Sequence, residues 1–194
     1  MRLLRLLVIV LAVSSTPAES ACFDLPGNWV PACGFESPGE VAQWNIDAGT
    51  GVFTPNPVRS GVGAVRVTSE DLGGSHVSQV GSDCFPMETY TEHGWGVYVY
   101  VESNTLSVNC SVSTTRCEVP DCASTCATSF QVPLEVQPLI WTNVWSGDLF
   151  PSQGEISATI TFRCESAASF QVVFDDAFLG DELVPVTLQS FVVQ

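Results

Sequence analysis

The sequence predicts an all-β fold, an antiparallel β-sandwich. Short stretches alternate between apolar and polar residues, the period of half-buried strands, and helical periodicity is scarce. Clusters of turn-forming residues such as "TPNPVRSG" separate these stretches. Many short strands at this spacing, without helices between them, favour two packed antiparallel sheets. The strand candidates are residues 63–69, 94–103, 106–113, 129–136, 139–147, 155–164, 169–180 and 185–193.

The first 20 residues have the pattern of a secretory signal peptide. Two arginines precede an apolar run from Leu6 to Val13, and small residues follow as far as Ser20. Because the run is far shorter than the roughly 20 residues of a membrane-spanning helix, we expect no transmembrane segment and a secreted or periplasmic protein. A lipoprotein anchored through Cys22 is a less favoured alternative, since acylation would leave an odd number of cysteines.

Residues 21–194 are predicted to form a single monomeric domain stapled by disulfides. All 8 cysteines follow the predicted signal peptide, and an even number in a secreted chain indicates up to four bridges. Local geometry favours Cys22 with Cys33 and some closure within a cysteine-rich surface loop near 110–128; the other pairings stay open. A zinc site in "CEVPDCASTC" is disfavoured because it has no CxxC pair and no nearby histidine. The cysteines are Cys22, Cys33, Cys84, Cys110, Cys117, Cys122, Cys126 and Cys164.

The chain is strongly acidic. It has 21 Asp and Glu against 6 Lys and Arg, all of them arginines, for a net charge of −15. Loss of the signal peptide would remove two arginines and Glu19. Such a charge repels phosphate backbones and anionic membranes, so we expect no nucleic-acid partner. It attracts hard cations such as calcium, which prefer oxygen ligands.

No pattern in the sequence indicates catalysis. The two histidines, His76 and His93, lie in turn-like surroundings, and no G-x-S-x-G, H-E-x-x-H or glycine-rich phosphate motif occurs. A glycoside hydrolase needs two positioned carboxylates, and nothing singles out a pair. We therefore expect no enzymatic activity, with a hydrolase as the least favoured alternative.

Three separated stretches resemble the carbohydrate-binding modules of the CenC type, which are bacterial secreted modules with a galactose-binding-like jelly roll. They are "ACGFESPGEVAQW" (32–44), "VRSGVGAVRV" (58–67) and "FQVVFDDAFL" (170–179). The resemblance covers about residues 30–181 and rests on the order and spacing of the motifs. It implies a jelly roll that binds a polysaccharide or another extracellular glycan, and a packing role for Trp44. A structural or adhesive envelope protein that uses the jelly roll for protein contacts is the alternative.

Such modules bind sugars through aromatic rings and polar side chains. In "WGVYVYV", alternation places Tyr98 and Tyr100 on the face opposite the valines, and a tyrosine offers both an apolar ring and a hydroxyl. On 139–147, Trp141, Asn143 and Trp145 share a face. We expect Trp141 in the core, and we take Tyr98, Tyr100, Asn143 and Trp145 as candidate ligand-binding residues.

The resemblance also implies a structural calcium near the chain ends. Carried over by position, the ligands are the carboxylates of Glu36 and Asp175, with backbone carbonyls near Gly34 and Ser60. A cation would offset the cost of a carboxylate on a core-facing strand. Because neighbours on a strand face opposite ways, we expect Asp176 to point away from Asp175, toward solvent.

Overall fold

The computed structural model describes residues 27–87, 93–103, 107–131, 133–149 and 154–181. Within these ranges the chain forms a short helix and two antiparallel sheets packed face to face, which confirms the predicted β-sandwich. The predicted signal peptide and the strand candidate at 185–193 lie outside the described residues. Within the described residues, no helix has the length and apolar character to cross a membrane.

Along the described chain the elements follow each other as α1 (Pro38–Val41), β1 (Trp44–Ala48), β2 (Thr50–Thr54), β3 (Ala64–Thr68), β4 (Glu70–Asp71), β5 (His76–Ser82), β6 (Phe85–Pro86), β7 (His93–Val101), β8 (Val108–Cys117), β9 (Cys126–Phe130), β10 (Leu134–Val136), β11 (Thr142–Leu149), β12 (Ser157–Ser166) and β13 (Gln171–Asp181). One sheet has the order β11-β7-β13-β3-β2. The other has the order β1-β5-β12-β8-β10, with β4 on β5, β6 on β12 and β9 on β8.

The alternation of β7 explains how this strand lies in its sheet. Val97, Val99 and Val101 are fully buried, whereas Tyr98 and Tyr100 are partly exposed on the opposite face. The valines face the second sheet and the tyrosines face outward, as the sequence predicts. We call the side of this sheet that carries Tyr98 and Tyr100 the outer face.

An aromatic row joins the two sheets through the core. The ring of Trp44 lies 4.9 Å from that of Phe35 and 5.4 Å from that of Phe162, and the Phe162 ring lies 5.9 Å from Phe174. Trp44 Nε1 donates to the carbonyl of Ala32 at 3.1 Å, so its polar atom is satisfied although the side chain is buried. The predicted packing role of Trp44 is confirmed. Each fully buried ring contributes roughly 2 to 3 kcal/mol.

Three disulfides lie among the described residues. Cys117–Cys126 closes the cysteine-rich segment as predicted, whereas Cys110–Cys164 and Cys84–Cys122 connect distant parts of the chain. Cys33 is also disulfide-bonded, and its predicted partner Cys22 lies outside the described residues. The prediction of one long loop near 110–128 is wrong in extent: β8 continues to Cys117 and β9 begins at Cys126, so the loop spans only 118–125.

Several strands are missing from the sequence prediction. β1, β2 and β5 fall in stretches for which no strand was expected, and His76 begins β5 instead of lying in a turn. In β2 and β5 polar or small residues occur on both sides of the strand, so no apolar–polar alternation of period two is visible. The candidate at 129–136 is in fact two strands, β9 and β10.

Candidate functional site

A β-bulge in β13 sets the position of the adjacent carboxylates Asp175 and Asp176. The pairing with β7 shifts between Asp175 and Phe178, and Asp176 has a φ of 49°, in the left-handed region. Asp175 is fully buried and Asp176 is 2% exposed. The expectation that Asp176 points away toward solvent is therefore wrong. The bulge breaks the alternation of the strand, so both carboxylates meet the same loop.

That loop, residues 55–63, connects β2 to β3 and supplies donors to both aspartates. Asp175 Oδ2 accepts from the backbone N–H of Arg59 at 2.7 Å and of Ser60 at 3.3 Å, and its Oδ1 accepts from the N–H of Asp176 at 2.8 Å. Asp176 accepts from Ser60 Oγ at 2.7 Å and forms an ion pair with the Arg59 guanidinium. Each of the four carboxylate oxygens therefore has a donor.

Burial still dominates the ionisation of Asp175. It raises the pKa of this carboxyl to about 7, the charge of Asp176 adds to the increase, and the three backbone N–H donors oppose it. A raised carboxyl pKa is common at catalytic sites. Here the side chain is fully buried, so a substrate cannot reach it.

Glu36 fastens the other end of the same loop. Its Oε2 accepts from the backbone N–H of Val62 and from that of Gly63 at 3.1 Å. Its Oε1 is buried without a hydrogen-bond partner. Burial is the main cause that raises the pKa of Glu36, opposed by the two backbone donors, with the charges of Glu40 and Asp176 adding to the increase. The contribution of the Asp176 charge to the pKa of Glu36 places the two carboxylates in one acidic cluster.

The cluster fits a cation only in part. Glu36 Oε1 is a buried acceptor that a calcium ion would satisfy. Asp175 offers no such atom, because both of its oxygens accept N–H donors. Gly34, two residues before Glu36, is buried. Among the described residues, no group of three or more His, Cys, Asp or Glu side chains is arranged to hold a metal ion. The calcium ligand set stays a prediction.

The outer face carries the predicted ligand-binding residues together. In the register of the sheet, Asn143 lies opposite Tyr98 and Trp145 opposite Gly96, so both β11 side chains share the face of the tyrosines. Trp145 is 39% exposed. A side chain on Gly96 would collide with the Cβ of Trp145 and the ring of Phe178, so this glycine lets the two aromatic residues pack together. The amide oxygen Asn143 Oδ1 is buried without a hydrogen-bond partner.

Trp141 also belongs to the outer face. Its ring lies 5.4 Å from the ring of Tyr100, and it is only partly buried. The expectation of a core position for Trp141 is wrong. Trp141 precedes β11, and its ring turns toward Tyr100 and adds an aromatic side chain to the surface.

Arg59 is the residue of this surface that sequence reasoning missed. Its guanidinium carbon lies 3.5 Å above the centre of the Tyr98 ring while the same group pairs with Asp176. A cation over an aromatic face is an attractive contact. A signal for it exists in the sequence: a chain with six arginines and 21 acidic residues has few cations, and a buried acidic pair needs one.

No protein-family model and no curated protein sequence matches the chain. Solved structures do match it. TmCBM61 in complex with β-1,4-galactotriose is 18% identical, with a TM-score of 0.58, over 80% of this chain and 99% of that one. The C-terminal family 22 carbohydrate-binding module of Clostridium thermocellum Xyn10B is 10% identical, with a TM-score of 0.56, over 84% and 99%.

A third match is the CBM22-1 xylan-binding domain of Paenibacillus barcinonensis Xyn10C. It is 10% identical, with a TM-score of 0.54, over 79% of this chain and 96% of that one. These identities establish the fold alone, and the coverage shows that the likeness extends over nearly the whole of each module. The chain has the galactose-binding-like jelly-roll fold of carbohydrate-binding modules.

Proposed function

We propose that the protein is a secreted, non-catalytic module that binds an extracellular glycan on its outer face. The observation that carries the proposal is the alignment of an exposed tryptophan, a second tryptophan, two tyrosines and an amide on one side of one sheet. Aromatic rings cover the apolar faces of sugars, and amides bond to their hydroxyls. The residues are Tyr98, Tyr100, Trp141, Asn143 and Trp145.

Trp145 is the principal ring contact in this proposal. Its exposed fraction of 39% leaves indole surface available to a ligand. Tyr98 contributes less ring surface because the Arg59 guanidinium covers one side of it. Tyr100 packs against Trp141, so these two rings form one aromatic surface. Secretion is supported by the disulfides, which persist in oxidising compartments.

The absence of catalysis is part of the proposal. Asp175 and Asp176 are the acidic pair that the sequence draws attention to, and both are buried and engaged with the loop 55–63. A general acid and a second carboxylate must flank the bond that is cleaved and be open to the substrate. These two aspartates hold a loop instead.

The test is binding of Trp145→Ala to neutral soluble polysaccharides, including xylan and β-1,4-galactan, by affinity electrophoresis. We expect at least about a tenfold loss of affinity, because Trp is enriched among interface residues whose truncation costs about 2 kcal/mol or more. Phe130→Ala is the matched control, since Phe130 is 75% exposed but lies on β9 of the other sheet. Equal affinity of both variants and the wild type, or no binding to any glycan at millimolar concentration, would reject the proposal.

We also propose that calcium binds beside the acidic cluster, with Glu36 Oε1 as its first ligand and Asp176 adding negative charge. The support is that Glu36 Oε1 is buried without a donor and that burial raises the pKa of Glu36. A bound cation would stabilise the folded state by mass action. We expect exhaustive chelation to lower the melting temperature of the wild type but not of Glu36→Gln. An unchanged melt, with no metal by elemental analysis, would contradict this.

A further inference from the structure

An open depression of about 660 Å³ lies at the end of the outer face, beyond Tyr100. Pockets that bind small ligands span roughly 300 to 1,000 Å³, so the size suits a small molecule or one unit of a polymer. The buried ring of Phe170 contributes to its wall. The other lining residues are Thr68, Glu102, Ser103, Leu139, Ser169 and Gln171.

The floor of the depression is held by backbone hydrogen bonds between three strands and a loop. Glu102 N donates to Gln171 O at 3.0 Å, Ser69 N donates to Phe170 O at 3.0 Å, and Leu139 N donates to Val101 O at 3.0 Å. The ends of β3, β7 and β13 and the segment before β11 are thus fixed to each other. The depression is preformed, which lowers the entropy cost of binding.

The polar groups of the depression suit hydroxyls. Gln171 Nε2 donates to Thr68 Oγ1 at 3.0 Å, and this bond orients the amide. Because an amide oxygen has two lone pairs and a hydroxyl both donates and accepts, Gln171 Oε1, Thr68 and Ser169 can bond to a ligand hydroxyl in either direction. Gln171 and Ser169 are exposed.

The electrostatics of the depression select against anions. Among its lining residues the charged side chain is Glu102, and Arg66 pairs with it through Nε and, at 2.7 Å, through Nη2. Arg66 Nη2 also donates to the carbonyl of Asn56, which leaves the guanidinium turned toward the protein. Among the described residues, no cation lines the depression to attract a carboxylate, sulfate or phosphate, so a neutral ligand fits best.

Leu139 supplies an apolar surface at a cost in backbone energy. It has a φ of 60°, and its side chain is 51% exposed. A non-glycine residue in the left-handed region is strained, and such residues cluster at ligand sites. About half of the Leu139 surface therefore stays outside the packing of the fold. This exposed surface of Leu139 is available to pack against the apolar face of a ligand.

We propose that this depression is a second sugar subsite, which takes one neutral pyranose or furanose unit with its apolar face on Leu139 and its hydroxyls on Gln171, Thr68 and Ser169. The inference rests on the proposed glycan binding. Glu102 follows the end of β7, six residues along the chain from Gly96, which pairs with Trp145, and a strand rises about 3.3 Å per residue. An extended oligosaccharide of about 20 Å would reach both places, whereas a monosaccharide occupies one.

The experiment is an amide NMR titration of the full mature chain with xylose, galactose, β-1,4-galactotriose and xylohexaose. The side-chain amide of Gln171 and the backbone amide of Ser169 report the depression, and the indole N–H of Trp145 reports the outer face. We expect saturable shifts at both places with xylohexaose, and an affinity that increases with chain length. Leu139→Gly, which keeps the left-handed backbone without strain, should reduce affinity at the depression at least fivefold.

Ile140→Ala is the matched control, because Ile140 is the adjacent residue and is 60% exposed but does not line the depression. It should leave both sets of shifts unchanged. Shifts at Trp145 without any at Gln171 or Ser169 would overturn the subsite and leave the outer-face proposal standing. Shifts at the depression alone would support the subsite and count against the outer face. The absence of shifts at both places would reject both proposals.

Discussion

Replacing Asp175 by asparagine should remove a large part of the pH dependence of stability. Asp175 lies fully buried in β13, and burial raises its pKa to about 7 from the ordinary 3.8. The folded state therefore holds a proton on this carboxyl over a pH range in which the unfolded chain has released it. The stabilisation is complete below about pH 4 and is lost as the pH rises through about 7. Asparagine imitates the protonated carboxyl at every pH.

The size of the stability change follows from the pKa shift of Asp175. A change of about three pKa units, at about 1.4 kcal/mol per unit, lowers the free energy of unfolding by up to about 4 kcal/mol between pH 4 and pH 7. The asparagine oxygen can still accept the N–H groups of Arg59 and Ser60, but its NH₂ replaces the oxygen that accepts from Asp176 N. That loss costs about 1 kcal/mol. We expect Asp175→Asn to be slightly less stable than the wild type at pH 4 and more stable, by roughly 3 kcal/mol, at pH 8.

The assay is urea unfolding at 25 °C with linear extrapolation, at half-unit steps from pH 4 to pH 8, with disulfides intact and a chelator present. Asp83→Asn is the control for the loss of one exposed carboxylate at the protein surface. The difference between Asp175→Asn and the wild type should change sign within this range. Parallel stability curves, offset by a constant amount, would show that Asp175 does not titrate there and would refute the reasoning.

Two further substitutions test the contribution of loop 55–63 and of the disulfides to stability. Gly61→Ala places a Cβ 1.7 Å from Glu36 Oε1 and should lower the free energy of unfolding by at least about 2 kcal/mol more than Gly73→Ala. Gly73 is the control because it shares the positive φ but a Cβ there meets nothing within 4 Å. Equal losses in urea unfolding would show that Glu36 moves aside. Replacing Cys110 and Cys164 together by alanine removes a disulfide between residues 54 apart in sequence and should lower the free energy of unfolding by about 4 kcal/mol. The same change at Cys117 and Cys126, which are 9 residues apart, should lower it by about 3 kcal/mol. The reverse order, measured by the same unfolding assay, would contradict the dependence on loop length.

Regular strands are where the sequence predicts the structure well. Tyr98 and Tyr100 face outward and the valines between them face the core because β7 keeps its period of two through this stretch. The period also places Asn143 and Trp145 correctly, since β11 pairs with β7 in unbroken register from Thr142 to Ser146. In such segments the direction of each side chain depends only on its neighbours in sequence.

The features that the sequence did not predict arise from contacts between segments far apart in the chain. Asp176 breaks the alternation because an extra residue enters β13 at the bulge, and the energy that stabilises this bulge comes from a loop 116 residues earlier in the chain. The pairing of Cys110 with Cys164 depends in the same way on the register of β8 against β12. These features depend on contacts between distant segments, and no local pattern encodes them.

The loop 55–63 couples the stability of the sandwich to the shape of the outer face. Backbone N–H groups, Ser60 and the Arg59 guanidinium tie β13 to the early part of the chain. The same guanidinium lies on Tyr98. Asp175, whose ionisation gives stability its pH dependence, accepts the backbone N–H of Arg59. Release of its proton therefore changes a contact that positions Arg59, and with it the ring surface that Tyr98 presents on the outer face.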